Sequence, residues 1–230
     1  MPHFEDVSDT VGLGPGGIAG NLKGDHLAVA DVNVDGRPDV LYSAGNGALL
    51  LNTTEGFRAA TNSGISYQAG GVAPAFGDFN GDGLPDLFVP QRKGGLGRLF
   101  INKGRGRFQD VTGSSGALAE ASGQGTCAVW SDFCGRGKQD LLVGCVYGPN
   151  SYFRNSGSGT FSDAGNEIGL YQDIYNSSGM CVVDANMDGV PDLVLGNRGR
   201  ESAVLVGNRS RLASTNQSSA ASGMERRLPQ

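Results

Sequence analysis

One nine-residue pattern, D-x-N-x-D-G-x-P-D, is written three times in this chain and a fourth time in damaged form. The intact copies are Asp31-Asn33-Asp35-Gly36-Asp39, Asp78-Asn80-Asp82-Gly83-Asp86 and Asp184-Asn186-Asp188-Gly189-Asp192. The damaged copy is Asp132-Cys134-Arg136-Gly137-Asp140. A pattern that returns at wide, even spacing marks a repeat fold, and its acids at alternate positions around a glycine turn suit a hard cation that takes six to eight oxygens.

The first three acids also open an EF-hand, but an EF-hand needs a glutamate at position 12 and helices on both sides. Position 12 is Tyr42, Val89 and Leu195, and β-prone runs (DVLYS, DLFVP, DLVLG) follow each loop at once. The proline at position 8 is allowed where a strand begins. Side chains at positions 1, 3, 5 and 9 and a backbone carbonyl at position 7 (Arg37, Leu84, Val190) then supply most of a Ca2+ shell. A single copy reads equally well as a tight Asp/Asn/Gly/Pro turn; three copies with identical acid spacing favour calcium. About three Ca2+ sites are expected. None is expected at Asp132–Asp140, where Arg136 puts a guanidinium in place of the cation and is free to pair with Asp132 or Asp140.

Two further signatures keep step with the loop. F-x-D-V-[ST] runs from Phe4 and Phe108, with looser copies at Phe161 and Phe57, and these phenylalanines lie 53, 51 and 53 residues apart. A short apolar run ends in Asn52, Asn102, Asn155 and Asn208. Three signatures in fixed order, four times over, define a unit of about 52 residues, in the range of a propeller blade.

Within the second unit the expected strands are residues 72–78, 85–90, 97–102 and 108–112, separated by Gly, Asn and Asp clusters that read as hairpin turns. The best helical stretch is a short turn over 117–122. The 39 glycines have no collagen period and fit tight hairpins. The fold class expected is all-β, a β-propeller of four-stranded blades. The repeats fill residues 1–211, and 212–230 is a Ser/Ala-rich tail expected to be disordered.

The phase of the repeat leaves one question open. The chain starts on a fourth-strand signature (residues 4–8), and no such signature follows Asn208. Either the N-terminal segment lends the last blade its outer strand and closes a four-bladed ring, or the chain is part of a larger propeller.

These residues resemble FG-GAP/VCBS repeats of the integrin-alpha type, in the ASPIC/UnbV-associated branch. The resemblance rests on the DxNxDGxPDLxV loop, the LxxN-x-G-x-G-x-F-x-D-V-T hairpin and the stretch GVAPAFGDFNGDG at residues 71–83. It covers residues 4 to about 211 and implies Ca2+ in the loops and an extracellular module for adhesion or for protein or glycan recognition. Such propellers commonly have seven or eight blades, so two chains joining into a larger ring is a further expectation. The family also contains carbohydrate-active enzymes, so the fold leaves function open.

A net charge of −5 speaks against nucleic-acid binding, and no apolar run is long enough for a membrane span. The start, MPHFEDVSD, has neither the basic residues nor the apolar stretch of a signal peptide, as expected of a boundary within a longer gene. Weak calcium sites fill outside the cytosol, so an extracellular or periplasmic location is expected. Cys127, Cys134, Cys145 and Cys181 permit disulfides, while Cys127 and Cys181 in apolar first strands equally read as buried thiols. N-x-[ST] sequons stand at Asn52, Asn176, Asn208 and Asn216, of which Asn52 and Asn208 belong to the hairpin signature.

No nucleophile elbow, P-loop or zinc motif occurs, and the two histidines, His3 and His26, neighbour no candidate nucleophile. Two functions remain. One is a calcium-stabilised recognition module whose contacts come from loops 91–98 and 197–200 and from Tyr147, Tyr152, Tyr171 and Tyr175. The other is a carbohydrate-active lyase or dehydratase that uses a bound metal in a propeller cavity.

Overall fold

The computed structural model describes residues 3–14, 17–18, 26–43, 47–68, 70–208 and 224–227. They form four antiparallel meanders of four strands each. Blade 1 is β1 (Leu27–Ala30), β2 (Asp39–Tyr42), β3 (Ala48–Thr53) and β4 (Gly56–Ala59). Blade 2 is β5 (Ala75–Gly77), β6 (Asp86–Pro90), β7 (Gly97–Asn102) and β8 (Phe108–Asp110). Blade 3 is β9 (Gly125–Ser131), β10 (Asp140–Cys145), β11 (Ser151–Asn155) and β12 (Phe161–Asp163), and blade 4 is β13 (Ser177–Val183), β14 (Asp192–Asn197), β15 (Ala203–Gly207) and β16 (Met224–Arg227). Among the described residues the one α-helical turn, α1 (Ala117–Glu120), lies within the 117–122 stretch read as a short helical turn.

In blades 2 and 3 the second strands are apolar on both sides (burial is complete along DLFVP and DLLVGC) because each of these blades is sandwiched between neighbours. Side chains alternate, so one face of blades 2 and 3 meets the preceding blade and the other the following one. Leu41 and Leu49 of blade 1 share a core with Leu87, Val89 and Phe100 of blade 2. Phe88 and Leu99 then meet Leu141, Val143 and Phe153 of blade 3, and Leu142 and Tyr152 meet Leu193, Leu195 and Leu205 of blade 4. Trp130 sits in the middle core, stacked on Phe79 at 5.9 Å and edge-on to Phe88 at 6.5 Å.

The inner strands β1, β5, β9 and β13 stand beside one another in chain order. The first strand of blade 2 is shorter than its sequence reads. Ala73 instead forms a parallel bridge to Cys127 of blade 3 and donates its N–H to Thr126 O at 2.6 Å, so residues 72–74 serve the neighbouring inner strand.

Of the two alternatives left open by the repeat's phase, the lending of an outer strand by residues 4–8 does not occur. Phe4 is fully exposed, residues 8–12 turn, and the fourth blade's outer strand is Met224–Arg227, paired antiparallel to β15 with Val204 opposite Arg227. Part of the segment expected as tail is therefore a strand, which satisfies the edge of β15. The N-terminal segment has another partner. Val11 O accepts the Phe57 N–H (3.0 Å), as Ser63 O accepts that of Phe108 (2.7 Å) and Ser115 O that of Phe161 (2.9 Å). The segments that trail the first three F-x-D-V signatures thus each dock on the next outer strand, and residues 8–14 dock on blade 1 in that phase.

All four cysteines are free. Cys127 and Cys145 are buried, and burial pushes both thiols up to about 11. Cys181, expected to be buried, is exposed, because no further blade covers its face of blade 4.

Candidate metal centres

Every acidic loop joins a first strand to a second, so all four lie at the same end of their blades. The three intact loops are wired identically. In the first, the Asp35 N–H donates to both Asp31 Oδ1 (3.0 Å) and Asn33 Oδ1 (3.2 Å). The Gly36 N–H donates to Asp31 Oδ2 (2.7 Å), and the Arg37 N–H to Asp35 Oδ1 (2.9 Å). Asp78, Asn80 and Asp82 repeat these bonds with Gly83 and Leu84, and Asp184, Asn186 and Asp188 repeat them with Gly189 and Val190. Two side-chain oxygens from positions 1 and 3 are thereby drawn to one backbone amide, and the position-5 carboxylate stands beside them.

This path requires left-handed backbone at position 4. Gly81 adopts it at no steric cost, but Val34 (φ 58°) and Met187 (φ 59°) adopt it too, and for a β-branched valine that is a strained state.

The position-9 acids are a different kind of group. Asp39, Asp86, Asp140 and Asp192 are all completely buried at the foot of β2, β6, β10 and β14. Asp39 accepts the Val32 and Asn52 N–H groups, and Asp192 those of Ala185 and Gly207. Asp86 takes the Asn102 N–H at 2.7 Å, but its Oδ2 has no partner at hydrogen-bond geometry. The Phe79 N–H occupies the place of Val32 and Ala185 and still lowers the Asp86 pKa somewhat. Burial foremost, then the nearby Asp82 and Asp78 carboxylates, push it up to about 7. Asp39 is raised for the same reasons.

As the side chains stand, no group of three His, Cys, Asp or Glu among the described residues is gathered around a point where an ion would sit. The carboxylates at positions 1 and 5 are turned onto backbone amides, and position 9 lies behind the loop. The donor chemistry nevertheless fits a hard cation: oxygens alone, several anionic, with one buried carboxylate oxygen in loop 2 unpaired and crowded by like charge.

In the damaged loop a side chain of the loop itself supplies the positive charge. Arg136 NH2 bonds Asp140 Oδ1 at 2.7 Å and Arg136 NH1 bonds Asn155 O at 3.2 Å, so of the two acids read as its partners Asp140 is the one paired. Tyr152 completes the arrangement, donating its hydroxyl to Asp140 Oδ2 at 2.7 Å. Arg136→Ala should destabilise the fold by about 2 kcal/mol in urea unfolding, because a buried carboxylate loses its cationic partner but keeps two hydrogen bonds. Loop 1 carries a milder version: Arg37, counted from sequence only for its carbonyl, bonds Asp35 Oδ2 (2.9 Å) and Asn52 O (3.1 Å). Loops 2 and 4 have Leu84 and Val190 there and no such competitor.

One functional contact was hidden in the sequence. The hairpin asparagine shapes its turn, since Asn102 Oδ1 accepts the Gly104 N–H and Asn155 Oδ1 that of Gly157. Its Nδ2 also reaches across blades. Asn102 bonds Val32 O (2.9 Å) in loop 1, and Asn155 bonds Phe79 O (2.7 Å) in loop 2. Loops 1 and 2 are thus each stapled to the following blade. The recurrence of that asparagine was visible, but not the 70 and 76 residues it spans.

The residues read as recognition contacts separate. Tyr152 lies in the core between blades 3 and 4, and Tyr175 and Gln91 are buried as well. Tyr147 is 82% exposed and shares a cavity of about 640 Å³ with Tyr171, Glu120 and Asp163. Loop 91–98 contributes Lys93 and Arg98 to a cavity of about 410 Å³, and Asn197 and Arg200 line one of about 340 Å³. In an antiparallel meander these second-to-third-strand loops, and the connections between blades, lie at the end away from the acidic loops. Of the sequons, Asn216 lies outside the described residues; Asn176 Oδ1 accepts the Tyr147 N–H. No described helix is long and apolar enough to cross a membrane.

Comparison with known proteins agrees with this architecture. The FG-GAP-like repeat matches residues 31–89 and 132–195, more than half of the chain. Cartilage acidic protein 1 of Mus musculus is 27% identical over 123 residues, covering 54% of this chain and 18% of that protein. The Homo sapiens protein is 29% identical over 97 residues, covering 42% and 14%. The chain thus matches less than a fifth of the length of these relatives. A solved Agrocybe aegerita lectin, described as recognising non-reducing terminal N-acetylglucosamine, aligns with 79% of this chain and 48% of its own at a TM-score of 0.51 and 19% identity. The acidic loops, the four-stranded blades and these matches place the chain in the FG-GAP-like repeat family, with four blades of the β-propeller kind among its described residues.

Proposed function

We propose that the protein is a calcium-stabilised extracellular recognition module, with Ca2+ held in the acidic loops at one end and a protein or glycan bound by the loops at the other. The observation that carries this reading is the division of labour between the ends. One end repeats the same oxygen-lined loop three times; at the other, each of the three cavities described above has different loop residues. Calcium, when bound, would supply positive charge to carboxylates that otherwise repel one another. Asp78, Asn80, Asp82 and Asp86 would hold it in loop 2, Asp184, Asn186, Asp188 and Asp192 in loop 4, and Asp31, Asn33, Asp35 and Asp39 in loop 1. The carbonyls of Leu84, Val190 and Arg37 complete each set. The N-acetylglucosamine recognised by the lectin of similar fold makes glycans the first ligand class to try.

Calorimetric titration with calcium tests the first half. Three ions are expected, with loop 1 the weakest because Arg37 must leave Asp35. Asp82→Ala should lower the count to two, and Arg136→Ala should leave it at three. An unchanged count in Asp82→Ala would remove loop 2 from the reading. For the second half, glycan-array binding should fall with Tyr147→Ala and persist in Asp82→Ala protein that remains folded; loss of binding in neither variant would move the recognition surface elsewhere.

A further inference from the structure

Four blades bury three inter-blade cores, and the two faces left over are the halves of a fourth. The first half is on blade 4. By register, Cys181, Val194 and Val204 occupy the places that Ala28, Leu41 and Leu49 hold in blade 1, where all three pack against blade 2. In blade 2 the same places are Ala75, Phe88 and Leu99, and in blade 3 Val129, Leu142 and Tyr152, each packed against the following blade. In blade 4 Cys181 is exposed, Val194 and Val204 are only half-buried, and the neighbouring Val183 is 42% exposed.

The second half is on blade 1. Val29, Val40 and Tyr42 hold the places of Phe76, Leu87 and Val89 in blade 2, which pack against blade 1. They also hold those of Trp130, Leu141 and Val143 in blade 3 and of Val182, Leu193 and Leu195 in blade 4. Here Val29 is 53% exposed, Leu27 beside it 55%, and Val40 and Tyr42 are half-buried, while Leu50 opposite Val40 is already covered within the single copy. Asn52 points the same way. Its amide bonds its own Pro38 O, as Asn102 bonds Pro85 O and Asn155 bonds Gln139 O, but no second bond to an acidic loop is described for it.

A face of this shape receives a blade face of this same repeat. A second copy offers both missing halves at once. We propose that blade 4 of one copy packs on blade 1 of a second, and the reverse, so that two copies close one ring of eight blades. The two-fold axis is then the ring axis, and both contacts are copies of the interface already built three times within the chain. In the closed ring Asn52 would find its acceptor at position 2 of the partner's fourth loop.

Light scattering on the full chain over about 1–100 μM should return twice the monomer mass. Val29→Asp and Val204→Asp should each give folded monomers, since a charge in an inter-blade core has no partner. Mixing the two variants should restore a dimer through their one intact pair of faces, which a blade pairing with its own kind cannot do. Thiol labelling gives a second readout: Cys181 should react about tenfold or more slowly in the wild type than in Val29→Asp, while buried Cys127 and Cys145 stay unreactive in both and report that the variants are folded. Four results would overturn the proposal: a wild-type monomer throughout, including one whose Cys181 is shielded within a single copy; an assembly larger than two; a mixture of variants that stays monomeric; or a dimer in which Cys181 labels as fast as in Val29→Asp.

Discussion

Asn155→Ala is expected to destabilise the protein by about 3–4 kcal/mol, the largest effect of any single polar substitution considered for this fold. The side chain is fully buried, and its amide donates to two buried carbonyls, Phe79 O in blade 2 and Gln139 O in its own blade, while its Oδ1 accepts the Gly157 N–H. Alanine leaves all three groups without partners, each at a cost of about 1–3 kcal/mol less whatever water restores. Asn52→Ala is the control, because Asn52 is half-buried at the open edge and bonds only Pro38 O through its amide. It should cost about 1 kcal/mol. Urea unfolding at fixed calcium separates the two, and equal losses would mean that the bond across blades contributes nothing beyond the turn.

Chelation should have the second large effect. An ion bound only by the folded state stabilises it by about 2.7 kcal/mol per site at a hundred times its dissociation constant. Three sites at that saturation would shift the melting temperature by on the order of 15 °C or more for a chain of this size. The direction follows from the charge: without a cation, buried Asp86 stands near Asp82 and Asp78, and its raised pKa measures how poorly the site tolerates its negative charge. Calcium added back should restore the transition. A melting curve indifferent to chelator and to added calcium would leave the loops as plain turns and end the calcium reading.

How much of this was legible in the sequence depended on whether a feature was local or long-range. Loops and strands were legible because their causes lie within a few residues. The D-x-N-x-D-G-x-P-D pattern satisfies its own backbone, and the apolar runs after it are buried on both faces. In blade 2 the expected strands at 85–90 and 97–102 fall within a residue of β6 and β7. That Arg136 pairs with an acid of its own loop was legible for the same reason, Asp132 and Asp140 each being four residues away, and the structure selects Asp140.

What lies between blades was not. Whether Tyr152 faces solvent or a core depends on a strand 40 residues further on, and Cys181 looks buried until the blade that would cover it is missing. The outer strand of blade 4 escaped notice because Met224–Arg227 carries none of the F-x-D-V signature and is joined to β15 by main-chain pairing. Arg37 was read for its carbonyl alone, because its side chain is held by Asn52 O, fifteen residues away on the next hairpin, as well as by Asp35.

The asparagine staple has a direction. In both cases described the donor belongs to the later blade and the acceptor carbonyl to the earlier one, so each acidic loop is finished before the side chain that grips it has been synthesised. A chain emerging from the ribosome can therefore lay down blade 1 as a template, capture Asn102 on it, and go on to capture Asn155 on blade 2, without waiting for its C-terminus. Limited proteolysis of ribosome-bound chains would register this as protection of blade 1 before blade 3 exists. Assembly by addition at one growing face suits a repeat whose last face stays open for the next arrival.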